Sequence, residues 1–559
     1  MSAHVATSRS FDRTTMVRAL RAATAEGEPL DLLVVGGGIT GAGVALDAAT
    51  RGLRVALVER HDFASGTSSR SSKMVHGGLR YLQNGDVRLV YEALHERTRV
   101  MRNAPHLVET LPFLIPIMSR DGVVPRKVSR ALGSALWAYD ATGGWRIGRL
   151  HRRLSRPAAA RYFPTARTGA LSGGYLYFDA AADDARLTLA VARTAADRGA
   201  IVVNRAEVVG FGHGPAPHVA TVAVEGEPIE VRSRSVVLAT GVWTDDVRAL
   251  DEGRHPDSIR PAKGVHASVP WGLVRNEIAV IVPIRSDRRS MFLVPWGRRP
   301  DGTFLHTYFG TTDTDHDGPL DAPTCDGDDL DYLLTALNAA IEGTVDRRDV
   351  TGVWAGLRPL VKHGDDGDDD ESTTDLSRDH RVEVAASGVI RVTGGKLTTY
   401  RRMAEDTVDA VVEQLGGTRR QRRHPTRRLR LHGAGAGRPP RDDRLGRRYG
   451  TDAPDVRALI ALDADLGEPL VPGQSYVRAE AVYAARAEMA TTVEDVLCRR
   501  TRAHLFDRDA CRESAPQVAD LLSTELGWDP AERERQLTSY LDLCAAEERA
   551  LARHAHATH

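Results

Sequence analysis

Two rhythms of apolar and polar residues alternate along the first sixty positions. LLVVG (32–36) is an unbroken apolar run closed by glycine, the pattern of a strand buried on both faces. ITGAGVALDAATRG (39–52) places small and apolar residues at helical spacing and stops at Gly52. RVALVER (54–60) is a second buried strand, so 32–60 predicts a βαβ unit. Residues 1–29 read as a polar lead-in, and 61–82 as a basic, Gly/Ser-rich loop. A helix is predicted over 87–104. Strand patterns recur in AIVVNRAEVVGF (200–211), SVVLATGVWTD (235–245), HASVP (266–270), SMFLVPW (290–296) and TYFGTTDTD (307–315). The acidic run at 363–375 reads as a solvated loop. VIRVTGGKLTTYRRMAEDTVDAVVEQL (389–415) reads as strand, glycine turn and long helix. A basic linker occupies 416–441, and 442–559 is rich in Ala, Leu, Glu and Arg and reads helical.

Composition adds little. With 559 residues, 42% apolar and 27% charged, the chain has the balance of a multidomain globular protein. Basic and acidic residues number 75 each, so net charge selects no partner. The four cysteines are far apart and form no CxxC pair, which predicts neither a zinc site nor a disulfide framework and suits a reducing cytoplasm. No metal site is expected. The first thirty residues contain no apolar signal core. No run approaches the about 18 apolar residues of a spanning helix, and LPFLIPIM from Leu111 is short and broken by prolines. Membrane contact, if made, is therefore expected to be peripheral.

Chemistry enters at the first turn. Gly36, Gly38 and Gly41 form GxGxxG directly after a strand. The first allows the tight turn, the second close approach of a pyrophosphate, and the third close packing of helix on strand. Free N–H groups at the helix start favour phosphate. Glu59 closes the second strand, where a carboxylate can take a ribose diol. The unit predicts a dinucleotide site. The donor-rich loop SSKMVHGGLRYL (71–82) favours a flavin over a nicotinamide.

GGGITGAG, TSSRSSKMVHGGLRYL, SVVLATGVWTD, KGVH (263–266), GTTDTD (310–315), GLRPL (356–360) and GGKLTTYR (394–401) follow one another in this order. Together, over about residues 30 to 410, they resemble the FAD-dependent glycerol-3-phosphate dehydrogenases of respiring bacteria and mitochondria. The resemblance implies an α/β fold: a Rossmann-like FAD-binding domain of the glutathione-reductase type interleaved with a mixed-sheet substrate domain over 30–415. A C-terminal helical domain is implied over 442–559. It further implies oxidation of sn-glycerol 3-phosphate to dihydroxyacetone phosphate, with electrons passed to a membrane quinone.

Such a reaction needs cations for a phosphate dianion and a base for the C2 hydroxyl. Arg80, Arg358, Arg378 and Lys396 match positions that line the substrate pocket in related enzymes. His266, which titrates near working pH, is the preferred base, with the alternative that it is a core histidine on a strand. His76 competes with it but is expected to contact the flavin, and Tyr81 either packs on substrate or fills the core. For FAD, Gly36, Gly38, Gly41 and Glu59 are expected to hold the ADP half. Ser68, Ser69, Lys73 and Gly77 are expected at the pyrophosphate and ring. Thr240 and Gly241 pass the dinucleotide, and Gly395 and Thr398 sit by the ring and ribityl chain.

The basic segment 126–156, interleaved with Leu, Trp and Tyr, suits an anionic lipid surface, or equally a helix pair with a solvated basic face. The linker at 418–430 is either a second lipid contact or a flexible tie. The expected place is the cytoplasmic face of the cell membrane. Without a binding motif, nucleic acid is not an expected partner, and the sequence leaves a homodimer open. Three other readings remain: a soluble glycerol-3-phosphate oxidase using oxygen, an amine or amino-acid oxidase on the same fold, and a non-catalytic flavin-binding scaffold.

Overall fold

The structure, a computed structural model, describes residues 11–25, 28–79, 86–118, 126–167, 169–212, 217–284, 289–362 and 379–554. Two large sheets dominate it. The first runs, in spatial order, through strands Arg381–Val384, Ile390–Thr393, Glu227–Leu238, Leu30–Val35, Val55–Val58 and Ile201–Val203. Its central pairings are parallel. Parallel strands need cover on both faces, which is why their sequences are continuously apolar. Part of that cover is helix Ile39–Thr50, which packs on helices Asp184–Asp197 and Tyr400–Gln414. Small residues allow the approach: a side chain at Gly43 would come within 3.0 Å of the Tyr400 ring.

The second sheet is mixed. Strand Val108–Met118 pairs antiparallel with Leu171–Ala182 and parallel with Ala279–Pro283. LPFLIPIM, noted above for its apolar character, lies in that strand. Strand Ile259–Pro270 pairs antiparallel with Gly352–Val361 in a register that sets His266 opposite Trp354 and Ala262 opposite Arg358. This pairing positions His266, Trp354 and Arg358. Within 61–82, Met74–Val75 adds a short strand against Leu171–Ala182.

Two expectations need correction. The described part of the lead-in is not merely polar. Arg13–Ala25 is a helix, and Phe11, Met16 and Leu20 are buried in the core of the first sheet. Its apolar stripe is narrow, and the surrounding charges mask it. Nor is the 416–441 linker a free tie. Thr426 Oγ1 donates to Asp47 Oδ1 at 2.6 Å, Arg427 Nη2 donates to Glu405 Oε1 at 2.7 Å, and Leu431 is buried.

The last 120 or so residues are helical, with Ala453–Leu462, Arg478–Ala487, Arg508–Leu526 and Pro530–Leu551 around their own core. Buried charge joins them to the rest. Asp62 accepts from Arg499 Nε at 2.8 Å and from Arg500 Nη1 and Nη2 at 2.7 and 2.8 Å. Arg186 donates to both oxygens of Glu488 at 2.6 Å. Removing one partner of a buried pair leaves uncompensated charge, at a cost of about 3–5 kcal/mol. Asp62→Asn keeps the shape and removes the charge. Denaturant unfolding should show a loss of that order, and a change under about 0.5 kcal/mol, the size of an ordinary surface substitution, would show that the cluster does not join the two regions.

Candidate active site

The first sheet ends in a cavity of about 400 Å³. The glycine turn forms its floor. Gly36 adopts φ +108°, and a β-carbon there would stand 2.6 Å from the Ala239 carbonyl oxygen. Gly41 does not line the cavity. Its missing side chain lets the helix sit on the turn, since a β-carbon would lie 1.9 Å from the Gly36 carbonyl oxygen. Gly38 caps helix Ile39–Thr50, and the amide of Ile39 donates to Ser68 Oγ at 2.9 Å. Ser68 therefore belongs to the cavity wall and also braces the helix start.

Glu59 lines the same cavity. Its carboxylate accepts from the amides of Gly37 at 2.6 Å and His61 at 2.8 Å. Burial raises its pKa, and these two backbone bonds pull against that rise. Thr240, Gly241 and Trp243 form the facing wall, with Arg60 stacked 4.8 Å over the Trp243 ring. Gly395 and Lys396 complete it from the turn after strand Ile390–Thr393. Gly394 and Gly395 both have positive φ, and a β-carbon on Gly395 would meet Met403 Sδ at 2.4 Å.

FAD fits this cavity on two grounds. The glycines form a cradle that any β-carbon would fill, next to a helix N-terminus suited to phosphate. The indole Nε1 of Trp243 is buried in the wall and has no hydrogen-bond partner among the described residues. Gly36, Gly38, Glu59, Ser68, Thr240, Gly241, Gly395 and Lys396 are the predicted residues that the fold brings together here.

Others stand behind the wall or away from it. Ser69 is buried outside the lining. Thr398 is buried and accepts from the His76 amide at 3.0 Å, tying two loops together. Gly77 donates to Tyr139 Oη at 3.1 Å and Asp179 Oδ1 at 3.2 Å, facing a buried Arg97–Asp179 pair. Lys73 departs furthest from expectation. It is fully buried with φ +58°, its Nζ lies 3.6 Å from Asp184 Oδ1 and 4.5 Å from the Trp354 ring centre, and it does not line the cavity. Burial drives its pKa down to about 8, against the pull of Asp184. Arg80, Tyr81 and Arg378 lie outside the described residues.

His266 sits directly behind the cavity. Ser71 lines the wall, and the neighbouring Ser72 Oγ is 2.9 Å from His266 Nε2. The imidazole stacks on Trp354 at 4.9 Å and 8°. Its Nδ1 is buried without a partner among the described residues. Burial first, then Lys73 and Arg358, holds its pKa well below the ordinary histidine value. Arg358 lies in strand Gly352–Val361 next to the lining residue Pro359 and does not itself line the cavity. It donates to Asp313 Oδ1 at 2.9 Å and to Thr311 Oγ1 and the Thr312 carbonyl, each at 3.2 Å. Trp243 and Asp313 lie within the SVVLATGVWTD and GTTDTD strings, whereas no motif singles out Trp354 or Asp184.

A glycine-cradled dinucleotide cavity lined by Arg60 and Lys396, with His266 behind Ser71 and Ser72, defines a flavin-dependent oxidoreductase. The FAD-dependent oxidoreductase family matches residues 31–401, and the C-terminal domain of alpha-glycerophosphate oxidase matches residues 401–533. The chain is 40% identical over 541 residues to glycerol-3-phosphate dehydrogenase 2 of Mycobacterium tuberculosis, covering 93% of this chain and 89% of that one. It is 35% identical over 548 residues to the human mitochondrial glycerol-3-phosphate dehydrogenase, covering 91% and 72%. The FAD-complexed glycerol-3-phosphate dehydrogenase of Bacillus halodurans superposes with a TM-score of 0.75 at 29% identity, covering 96% of this chain and 97% of that one. The chain belongs to the FAD-dependent glycerol-3-phosphate dehydrogenases. Membership sets aside the amino-acid oxidase and scaffold readings.

Proposed function

We propose that this enzyme oxidises sn-glycerol 3-phosphate to dihydroxyacetone phosphate and delivers the electrons to a quinone at the cytoplasmic face of the cell membrane. The observation that carries the reading is Lys396 in the cavity wall, with Arg358 beside the lining residue Pro359 and His266 bonded to Ser72 next to the lining residue Ser71. Bound in the cavity, FAD supplies the acceptor for the hydride leaving C2. Arg358 offers a guanidinium fork to the phosphate dianion. Its bonds to Asp313 and Thr311 hold that fork in place before substrate arrives. His266 takes the C2 hydroxyl proton at Nδ1, with Nε2–H donated to Ser72 Oγ so that the lone pair lies on Nδ1. Its depressed pKa keeps it in the accepting form at neutral pH.

The membrane part of the reading has separate support. Trp137, Trp145, Tyr91 and Leu150 are exposed large apolar residues close to basic side chains of the 126–156 segment. No helix among the described residues is long and apolar enough to cross a membrane. Oxygen is the second acceptor to consider, because the C-terminal match is to a domain named for an oxidase.

Anaerobic glycerol 3-phosphate should bleach the flavin band, while glycerol and amino acids should not. A soluble quinone should then restore the colour faster than air, and the reverse order with peroxide formed would transfer the assignment to an oxidase. In the same assay, Arg358→Ala should raise KM about 10- to 100-fold, the loss expected for a charge-assisted hydrogen bond. An unchanged KM would take Arg358 out of the phosphate site.

A further inference from the structure

A second cavity, of about 350 Å³, lies apart from the flavin cavity and shares no lining residue with it. Its walls come from three separate stretches: helix Val87–Asn103, the turn Gly144–Ile147, and the linker around Arg427. Five arginines converge on it: Arg99, Arg102, Arg146, Arg427 and Arg428. We propose that this cavity binds a phosphate group bearing two or more negative charges.

The balance of charge supports this. Two buried carboxylates serve the arginines here, and both are shared. Glu96 pairs with Arg99 and also with Arg401 at 2.7 Å. Glu405 pairs with Arg427 at 2.7 Å and with Arg401 and Arg402 at 2.5 and 2.8 Å. Arg102, Arg146 and Arg428 have no carboxylate partner among the described residues. Arg102 instead donates to the Arg427 carbonyl at 2.7 Å, which holds two of the arginine stretches together. Arg146 lies 4.9 Å over the Trp145 ring and 6.0 Å over Tyr91, which fixes its guanidinium at the rim. His95 lines the same cavity, its ring tilted against Tyr91 with centroids 4.2 Å apart, and its Nε2 is buried with no partner among the described residues. Burial first, then Arg146 and Arg99, depresses the His95 pKa against the pull of Glu96.

Solvated surface arginines spread apart to lower their repulsion. Arginines held together from three stretches by carbonyl and ring contacts cost energy unless an anion relieves it. Planar guanidinium forks match phosphate oxygens. The phosphate could belong to an anionic lipid head group, for which the exposed Tyr91 and Trp145 would flank the acyl side, or to a free phosphorylated metabolite.

The test uses FAD-loaded enzyme and the double variant Arg102→Ala/Arg428→Ala. Both side chains are exposed and lie away from the flavin cavity, so flavin content and the rate of flavin reduction should be unchanged, and Tm should fall by no more than the loss of the single Arg102–Arg427 bond. A control variant, Arg419→Ala/Arg420→Ala, removes equal charge from exposed positions outside the cavity. Calorimetry with inorganic pyrophosphate reads the soluble source. Co-sedimentation with phosphatidylcholine vesicles, with and without phosphatidic acid, reads the lipid source. Arg358→Ala excludes titration of the substrate site. Pyrophosphate binding weakened about tenfold or more in the double variant alone, as expected for lost charge-assisted bonds, would support a soluble ligand. Loss of phosphatidic-acid binding in the double variant alone would support a lipid head group. If the double variant and its control behave alike with both probes, the proposal is wrong. That failure is separate from failure of the membrane reading, which would show as wild-type enzyme indifferent to every vesicle.

Discussion

Gly41→Ala should yield protein that folds but carries almost no flavin. The expectation runs against helix propensity. Gly41 lies within helix Ile39–Thr50, and alanine there would ordinarily gain about 1 kcal/mol. The local geometry reverses the sign. A β-carbon at this position would stand 1.9 Å from the Gly36 carbonyl oxygen, which is backbone and cannot swing aside. The helix must lift from the turn. Lifting it separates the Ile39 amide from Ser68 Oγ, now 2.9 Å away, and moves the N–H groups aimed at the pyrophosphate. Overpacking of this kind costs about 1–3 kcal/mol, little for a core of this size but decisive for a cradle built to sub-ångström fit. The check is the ratio of flavin to protein absorbance after purification and again after reconstitution with FAD, together with Tm. Full flavin content would mean that the turn tolerates the displacement and that the third glycine serves packing alone.

The same turn explains why part of the site was legible in the sequence. Gly36, Gly38, Gly41 and Glu59 act within one βαβ unit, and spacing along the chain fixes their spacing in space. The Gly394–Gly395–Lys396 turn is equally local, since its glycines announce the positive φ that the structure has. Legibility ends where partners come from distant strands. Nothing in SSKM tells that Lys73 turns away from the flavin cavity toward Asp184, or that Lys73 and His266 both contact the Trp354 ring. The His266–Trp354 stack depends on the register of Ile259–Pro270 against Gly352–Val361, and a slip of one residue would have put His266 on the other face. The N-terminal helix was missed for another reason. Of the described residues in that segment, only Phe11, Met16 and Leu20 are buried apolar side chains, with polar and charged residues between them. Strand Leu171–Ala182, rich in glycine, tyrosine and alanine, has too little period-two contrast to declare itself, although it is paired on both sides.

His266→Gln should slow flavin reduction by glycerol 3-phosphate about 10²- to 10⁴-fold, the usual contribution of a positioned general base. Glutamine keeps a hydrogen bond within reach of Ser72 Oγ and nearly fills the space against Trp354, so KM should change far less. The pH profile separates a base from a packing residue. Burial, Lys73 and Arg358 all disfavour the imidazolium. The group therefore stays unprotonated as pH falls through the ordinary histidine range near about 6.5. Single-turnover reduction by the wild type should accordingly show no acid limb there. Lys73→Met removes one of the two neighbouring cations, so the His266 pKa should rise and an acid limb should appear at higher pH than in the wild type. A merely structural Lys73 would lower Tm without moving that limb. If His266→Gln instead reduces at nearly the wild-type rate, the stacked imidazole is core, and the C2 hydroxyl proton passes to a group outside the described residues or to water.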